Sequence, residues 1–363
     1  MRLKERKSNI ELLRIICMLM IVMHHFALNV WYPGIFAMQT PNSLGEAIVL
    51  LSHCLFFIGV NCFVLISGYF SIKTSLRGFL HLYGFYMFYA LLIALTQYFG
   101  DAQYATMPLS SKCFHIAVHS LMPWDNNNFW FLNAYLGLFM VAPVLNVAIA
   151  NLSKVAYIRI LVLLTILNVF FGNFFSIDLL NTWGFCVAQF VYLYMIGAFI
   201  RHYVSFESIK SHRWSNFGVY TISALVWGIF VAIQVYKFPF LGRFFKAFSY
   251  NNIFVLTAGI GLFLFMLSFD IKSKVINWLA SSCLAAYLLQ GSVLPYGWCI
   301  GVLEKYPSMQ NPYLLLTIST LFLIISLLFD KLRVMIAKPL IYINKTYVQK
   351  IEECIKQKYE KWK

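Results

Sequence analysis

Charge is what this sequence has least of. Asp, Glu, Lys and Arg make up 11% of its 363 residues, against roughly 25% in a soluble domain. The shortage excludes a water-soluble globule, because folding always leaves a large part of the surface exposed and 61% of these residues are hydrophobic. A mean hydropathy of +0.74 over this length calls for lipid as the solvent. Several chemical signatures are missing as well. There is no P-loop, which argues against an ATP-driven pump, and no GxGxxG, GxSxG or CxxC. No repeat, low-complexity linker or soluble insertion occurs. The eight cysteines do not read as a disulfide framework. Cys17, Cys54, Cys62, Cys186 and Cys283 lie in apolar runs, where a thiol behaves as a small hydrophobe. Cys113 and Cys299 can both face the outside, and spacing alone does not decide whether they pair.

What is abundant fits a membrane. The chain carries 35 Phe, 22 Tyr and 9 Trp, enough for interfacial aromatic belts and for packing between helices. A span needs about 20 mostly apolar residues. The pattern predicts an all-α, polytopic bundle of ten helices: 10–30, 46–70, 80–99, 129–150, 156–171, 183–203, 217–236, 252–269, 276–300 and 313–329. The segment 113–122 is too short to cross and is expected along the outer surface. The basic N-terminus followed by an apolar run imitates a signal peptide. Without a small-x-small site after His25, and with Glu11 and Arg14 interrupting the run, it reads as a retained first span.

The net charge of +15 would suggest nucleic acid in a soluble protein. Here its placement argues for cytoplasmic anchoring, and no nucleic-acid partner is expected. With the N-terminus inside, the inner segments hold twenty-two Lys and Arg and the outer loops five, namely Lys112, Lys237, Arg243, Lys246 and Lys305. That split obeys the positive-inside rule and puts both termini in the cytoplasm. Residues 1–335 are expected to form the transmembrane domain. Residues 336–363 are expected to form a basic tail, an amphipathic helix on the anionic inner leaflet.

Ionisable groups inside spans cost roughly 2.5–3.5 kcal/mol each at the helix centre and are functional candidates for that reason. The first span carries Glu11, Arg14, His24 and His25. Arg14 and His25 are eleven residues apart, so they fall within about 20° of one helical face and about 16 Å apart along the axis. Glu11 lies near the same stripe; His24 points about 100° away. An arginine near the inner surface suits a phosphate, and a buried neutral imidazole suits a general base or an acyl acceptor. The plainer reading stands beside this one: Arg14 snorkels to the interface and His25 bonds a neighbouring helix.

Other polar residues invite both readings too. The second span carries His53, Asn61 and Ser67 and closes on Ser67-Gly68-Tyr69-Phe70, just before Lys73 and Arg77. The fourth opens with Trp130, Asn133 and Tyr135 and carries Pro143 and Asn146 towards its inner end. Helix packing and an aromatic belt account for these as readily as a site does. His115 and His119 have a spacing that can hold a metal, but no HExxH glutamate or third ligand accompanies them. No metal site is expected.

Together these motifs resemble the acyltransferase 3 family of membrane acyltransferases. Arg14, ten residues and His25, in ELLRIICMLMIVMHHF, match that family's arginine and its essential catalytic histidine. The phenylalanine-rich helix ending in Ser-Gly-Tyr is met by Phe63 to Phe70. A Trp-Phe-Leu opening with a later tyrosine and proline is met by Trp130, Phe131, Leu132, Tyr135 and Pro143. A late Ser-Ser … Tyr-Leu-x-His pattern is met by Ser281, Ser282, Tyr287 and Leu288, with Gln290 where the family has histidine. Glutamine exchanges hydrogen bonds but shuttles no proton, so orientation is the role left to it. The basic cluster after the second span is thin here: Lys73, Arg77 and His81.

The resemblance implies a multi-pass cell-membrane O-acetyltransferase without a fused SGNH domain. It would move an acyl group, usually acetyl, from cytoplasmic acyl-CoA to a hydroxyl of a surface polysaccharide or lipid-linked glycan. Acetyl-CoA is then a donor substrate, and no cofactor is expected. His25, Arg14 and Glu11 are the catalytic candidates. His53, Asn61, Ser67, Trp130, Asn133, Tyr135, Tyr287 and Gln290 are the substrate-binding candidates, and Arg14, Lys73 and Arg77 would hold the CoA phosphates. Whether His25 acts as base or carries the acyl group is left open, and the sequence is compatible with self-association. The rival class is a transporter or flippase of lipid-linked glycan, for which no inverted repeat is seen.

Overall fold

The structure, a computed structural model of the 363-residue chain, describes residues 7–34, 39–122, 129–174, 183–238, 247–291, 296–306 and 311–360, with backbone alone beyond Ile336. Helices dominate, and no strand occurs among the described residues. In chain order they are α1 (Ser8–Phe26), α2 (Leu44–Phe56), α3 (Gly59–Phe70), α4 (Leu76–Gly100), α5 (Leu109–Leu121), α6 (Trp130–Asn151), α7 (Lys154–Thr165), α8 (Val187–Tyr203), α9 (Phe206–Ser211), α10 (Arg213–Tyr236), α11 (Ile253–Leu267), α12 (Lys274–Ala280), α13 (Cys283–Leu289), α14 (Trp298–Lys305) and α15 (Pro312–Glu360). The side chains of Ser43, Ser75, Ser153, Ser205 and Ser273 each accept a first-turn N–H and so fix where α2, α4, α7, α9 and α12 begin.

The protein is a polytopic membrane bundle. Seven helical runs are long and apolar enough to cross a membrane: Ser8–Trp31, Leu44–Phe70, Leu76–Gly100, Trp130–Asn151, Lys154–Asn173, Arg213–Tyr236 and Pro312–Ile336. These answer to the first five, the seventh and the last of the ten expected spans. The sixth and eighth fold as shorter helices, α8 of 17 residues and α11 of 15. The ninth, expected to be continuous over 276–300, is broken into α12, α13 and α14. The first break falls at Ser281-Ser282, where the Ser281 hydroxyl competes with the helical ladder by turning back to the Trp278 carbonyl at 2.8 Å. The second expected span also breaks, at Phe57-Ile58, between α2 and α3. The backbone of the last helix, α15, runs unbroken from the expected span to Glu360.

The second run is the most enclosed, 72% buried, and the fifth is the most peripheral, 22% buried. Within the core, α3 and α8 cross at backbone contact. A Cβ at Gly68 would collide with the Tyr194 carbonyl oxygen, and one at Gly197 with that of Leu65. The glycine of the Ser-Gly-Tyr signature is therefore a contact point, set by how closely two helices approach. Helix α1 packs against α2, α3, α11, α12, α13 and α15, and Glu11 and His24 are buried in those contacts.

One end of the bundle gathers cations and turns. Lys7 and Arg201 lie over the Tyr69 ring. Arg213 binds the Ser268 backbone and hydroxyl, both at 2.9 Å, and Ser8 bonds Ser273. Lys154 lies over Tyr203, whose hydroxyl donates to the Leu152 carbonyl. At the opposite end Trp31 donates to the Asn311 carbonyl and Asn29 to Tyr296. Cys113 and Cys299 carry free thiols. His115 and His119 stack with Tyr98 on α4 and α5.

Candidate active site

Where broken helices end, a small cavity opens inside the bundle. It is lined by Met18, Ile21 and His25 of α1, Val60 and Phe63 of α3, Trp130 and Phe131 of α6, Leu284 and Tyr287 of α13, and Tyr250. Its free volume is about 30 Å³, room for one or two waters. The wall on α1 is a single ridge, Met18, Ile21 and His25, and Arg14 continues it one turn outside the cavity. The imidazole predicted to sit on that ridge does face inward.

His25 is held by Gln290, which ends α13. Gln290 Nε2 donates to the Ala286 carbonyl at 2.9 Å, leaving Oε1 as an acceptor. The short contact between Oε1 and His25 Nδ1 therefore requires the ring proton on Nδ1. Nε2, which has no partner among the described residues, keeps its lone pair. A glutamine thus selects the tautomer in which the other ring nitrogen is basic.

His24, the adjacent residue, points elsewhere. Its Nδ1 meets His53 Nε2 at 2.9 Å, and His53 is packed among Phe56, Phe57 and Phe248. The His24 and His25 rings lie 5.0 Å apart. His53 is fully buried and does not line the cavity.

Arg14, further along the ridge, keeps a side chain 33% exposed while Nη1 pairs with Glu11 Oε1 at 3.1 Å. One helical turn beyond Phe63 and Phe131, Ser67 and Tyr135 bring their hydroxyls to 3.3 Å. Trp130 and Tyr287 line the cavity directly, and the Tyr287 hydroxyl accepts the Phe131 N–H at 3.2 Å.

The remaining candidates lie elsewhere. Asn61 is fully buried and donates to the Tyr250 carbonyl at 2.9 Å. Asn133 holds a buried amide oxygen without a partner, away from the cavity wall. Lys73 and Arg77 are exposed around the α3–α4 turn.

Tyr250 is the wall residue that sequence reasoning missed. It precedes α11 in a fully buried segment, Ala247 to Asn252. Non-helical backbone at this depth survives only when protein satisfies it. The Tyr250 N–H reaches the Trp183 carbonyl at 3.0 Å, and its carbonyl accepts from both Asn61 and Gln189. The ring stacks on Phe57 at 4.5 Å and 4° and on Trp130 at 5.4 Å. The polar run Ser249-Tyr250-Asn251-Asn252 at the head of an apolar span was the available signal.

A family model described as an acyltransferase domain matches residues 7–331. The chain belongs to the acyltransferase 3 family. The match takes in everything from the foot of α1 to the contacts of α15 with α12, and so the whole cavity. This acyltransferase is accordingly a multi-pass membrane protein, and its His25 lines the cavity inside the bundle. No curated protein and no solved structure matches the chain.

Proposed function

We propose that this acyltransferase moves an acyl group, acetyl in the first instance, from cytoplasmic acyl-CoA to a hydroxyl of a surface polysaccharide or lipid-linked glycan at the cell membrane. The observation that carries the reading is the His25 imidazole, held through Nδ1 by Gln290 with Nε2 bare at the cavity. That is the form of a general base. Nε2 would take the proton of the acceptor hydroxyl as its oxygen attacks the thioester carbon, and would return it to the departing CoA sulfur.

The cation-rich end of the bundle would face the cytoplasm by the positive-inside rule. CoA is multiply anionic, so its phosphates stay at that end. Arg14 is the best-placed clamp, with Glu11 orienting its guanidinium. Lys73 and Arg77 then meet the donor only as exposed charges on approach. The uncharged pantetheine arm would enter past Ser67 and Tyr135 and cover the roughly 16 Å from Arg14 to His25. A cavity with room for one or two waters must widen to admit it, and parting the Phe63 and Phe131 rings is the simplest way. Residues 1–335 would form the catalytic unit and 336–363 a basic extension. The donor and acceptor are substrates, and the chemistry calls on no further cofactor.

The test uses the full chain in liposomes with radiolabelled acetyl-CoA and a glycan extract of the source cells. Free CoA should appear together with label on sugar, and His25→Ala should abolish both while the protein stays in the membrane. Glycan movement without label transfer would replace this reading with the flippase.

A further inference from the structure

We propose that Tyr250 is a second catalytic residue, its phenolic O–H donating to the thioester carbonyl oxygen as negative charge develops there. The inference rests on the proposed His25 chemistry and adds the group that this chemistry lacks. A base accounts for the proton, but a tetrahedral intermediate also needs a donor aimed at its oxyanion.

Two tyrosine hydroxyls belong to residues of the cavity wall. That of Tyr287 is already committed to the Phe131 N–H. Tyr250 hydroxyl makes no hydrogen bond to any described residue, whereas several other buried tyrosines are tied down: Tyr89 bonds Asp330, Tyr157 the Met195 carbonyl, Tyr194 Asn146 and Tyr220 the Leu55 carbonyl. Tyr250 is buried and lines the cavity, and a substrate oxygen there would give the phenol an acceptor.

The rest of the residue is immobilised. Its ring lies between Phe57 and Trp130 with Phe185 against it. Its backbone N–H and carbonyl are held by Trp183, Asn61 and Gln189. A donor fixed in this way before substrate arrives costs no reorganisation at the moment of reaction. Asn61 becomes a positioning residue, and Trp130 acts by stacking rather than by binding sugar.

In the reaction, the acceptor oxygen bonds to the thioester carbon and its proton passes to His25 Nε2. The carbonyl π pair becomes an oxyanion that accepts the Tyr250 O–H. Collapse re-forms the carbonyl and breaks the carbon–sulfur bond, and the thiolate takes the proton from His25. Tyr250 keeps its own proton throughout.

The test compares wild type, Tyr250→Phe and His25→Ala as full chains in liposomes, following free CoA released from acetyl-CoA with the same glycan extract as acceptor. Tyr250→Phe keeps the stacked ring. It should lower kcat about 100-fold, the scale of losing one oxyanion donor, with KM for acetyl-CoA unchanged. Fluorinated tyrosines placed at 250, which vary the acidity of the phenol at nearly constant shape, should give rates that follow that acidity. A Tyr250→Phe protein with wild-type kcat overturns the proposal, as does a loss of activity indifferent to fluorination. An active His25→Ala, or a wild type that releases no CoA, removes the underlying reading and the role of Tyr250 with it. Full activity in Tyr250→Phe beside an inactive His25→Ala removes Tyr250 alone.

Discussion

Two neighbouring histidines on one helix end in opposite surroundings. His25 faces a cavity, half-buried, with one nitrogen held by an amide and the other bare. His24, about 100° round the helix, is buried against His53 in a nest of phenylalanines. Both are imidazoles at the same membrane depth. Chemistry is open only to the one whose partner leaves a basic nitrogen beside free space. The other bonds two helices together, as polar residues inside membranes commonly do. One helix thus sets one imidazole beside a cavity and packs its neighbour into the core.

The contrast breaks most sharply under exchange of the two. His25→Ala should lose essentially all acyl transfer, while His24→Ala keeps kcat within a few fold; label transfer in liposomes distinguishes them. Equal losses would put His24 into the chemistry. Removing the tautomer-setting partner comes next. Gln290→Leu should lower kcat at least about 10-fold, since the imidazole loses the partner that sets its tautomer, and Gln290→His, which restores an acceptor, should lose least. Arg14→Gln acts on the ground state: KM for acyl-CoA should rise about tenfold with kcat nearly kept, the pattern of lost uniform binding. The smallest effect on turnover belongs to the buried pair. His53→Ala leaves a polar nitrogen on His24 without this partner, costing about 1–3 kcal/mol of stability. Thermal unfolding in detergent should report that loss with acyl transfer unchanged.

The legible part of the site was the part carried by a single helix. Spacing alone put Arg14 and His25 on one ridge, and the structure keeps them there. Serines competing with the backbone at 281–282 were visible as a motif but not as a break, because hydropathy averages over a window and a two-residue interruption hardly changes the average. That break, with the one at Phe57, creates the helix ends around the cavity. Asn61 was legible as an anomaly in an apolar run, but its target was not, since the Tyr250 carbonyl it holds lies 189 residues further on. Tyr250 itself passed for one more interfacial aromatic among 22 tyrosines. Lys73 and Arg77 were grouped with the site by charge, and they lie at the surface.

Composition and periodicity by themselves determined the solvent, the helical class and the alignment of a cation with an imidazole along α1, because each depends on hydropathy or on the fixed geometry of one helix. Only the tertiary structure decided which nitrogen of His25 carries its proton, which of two adjacent histidines meets a cavity, and which tyrosine presents an unbonded hydroxyl there. Those facts depend on hydrogen-bond directions between segments far apart in the chain, by 265 residues for His25 and Gln290, and no local pattern encodes a partner at that distance.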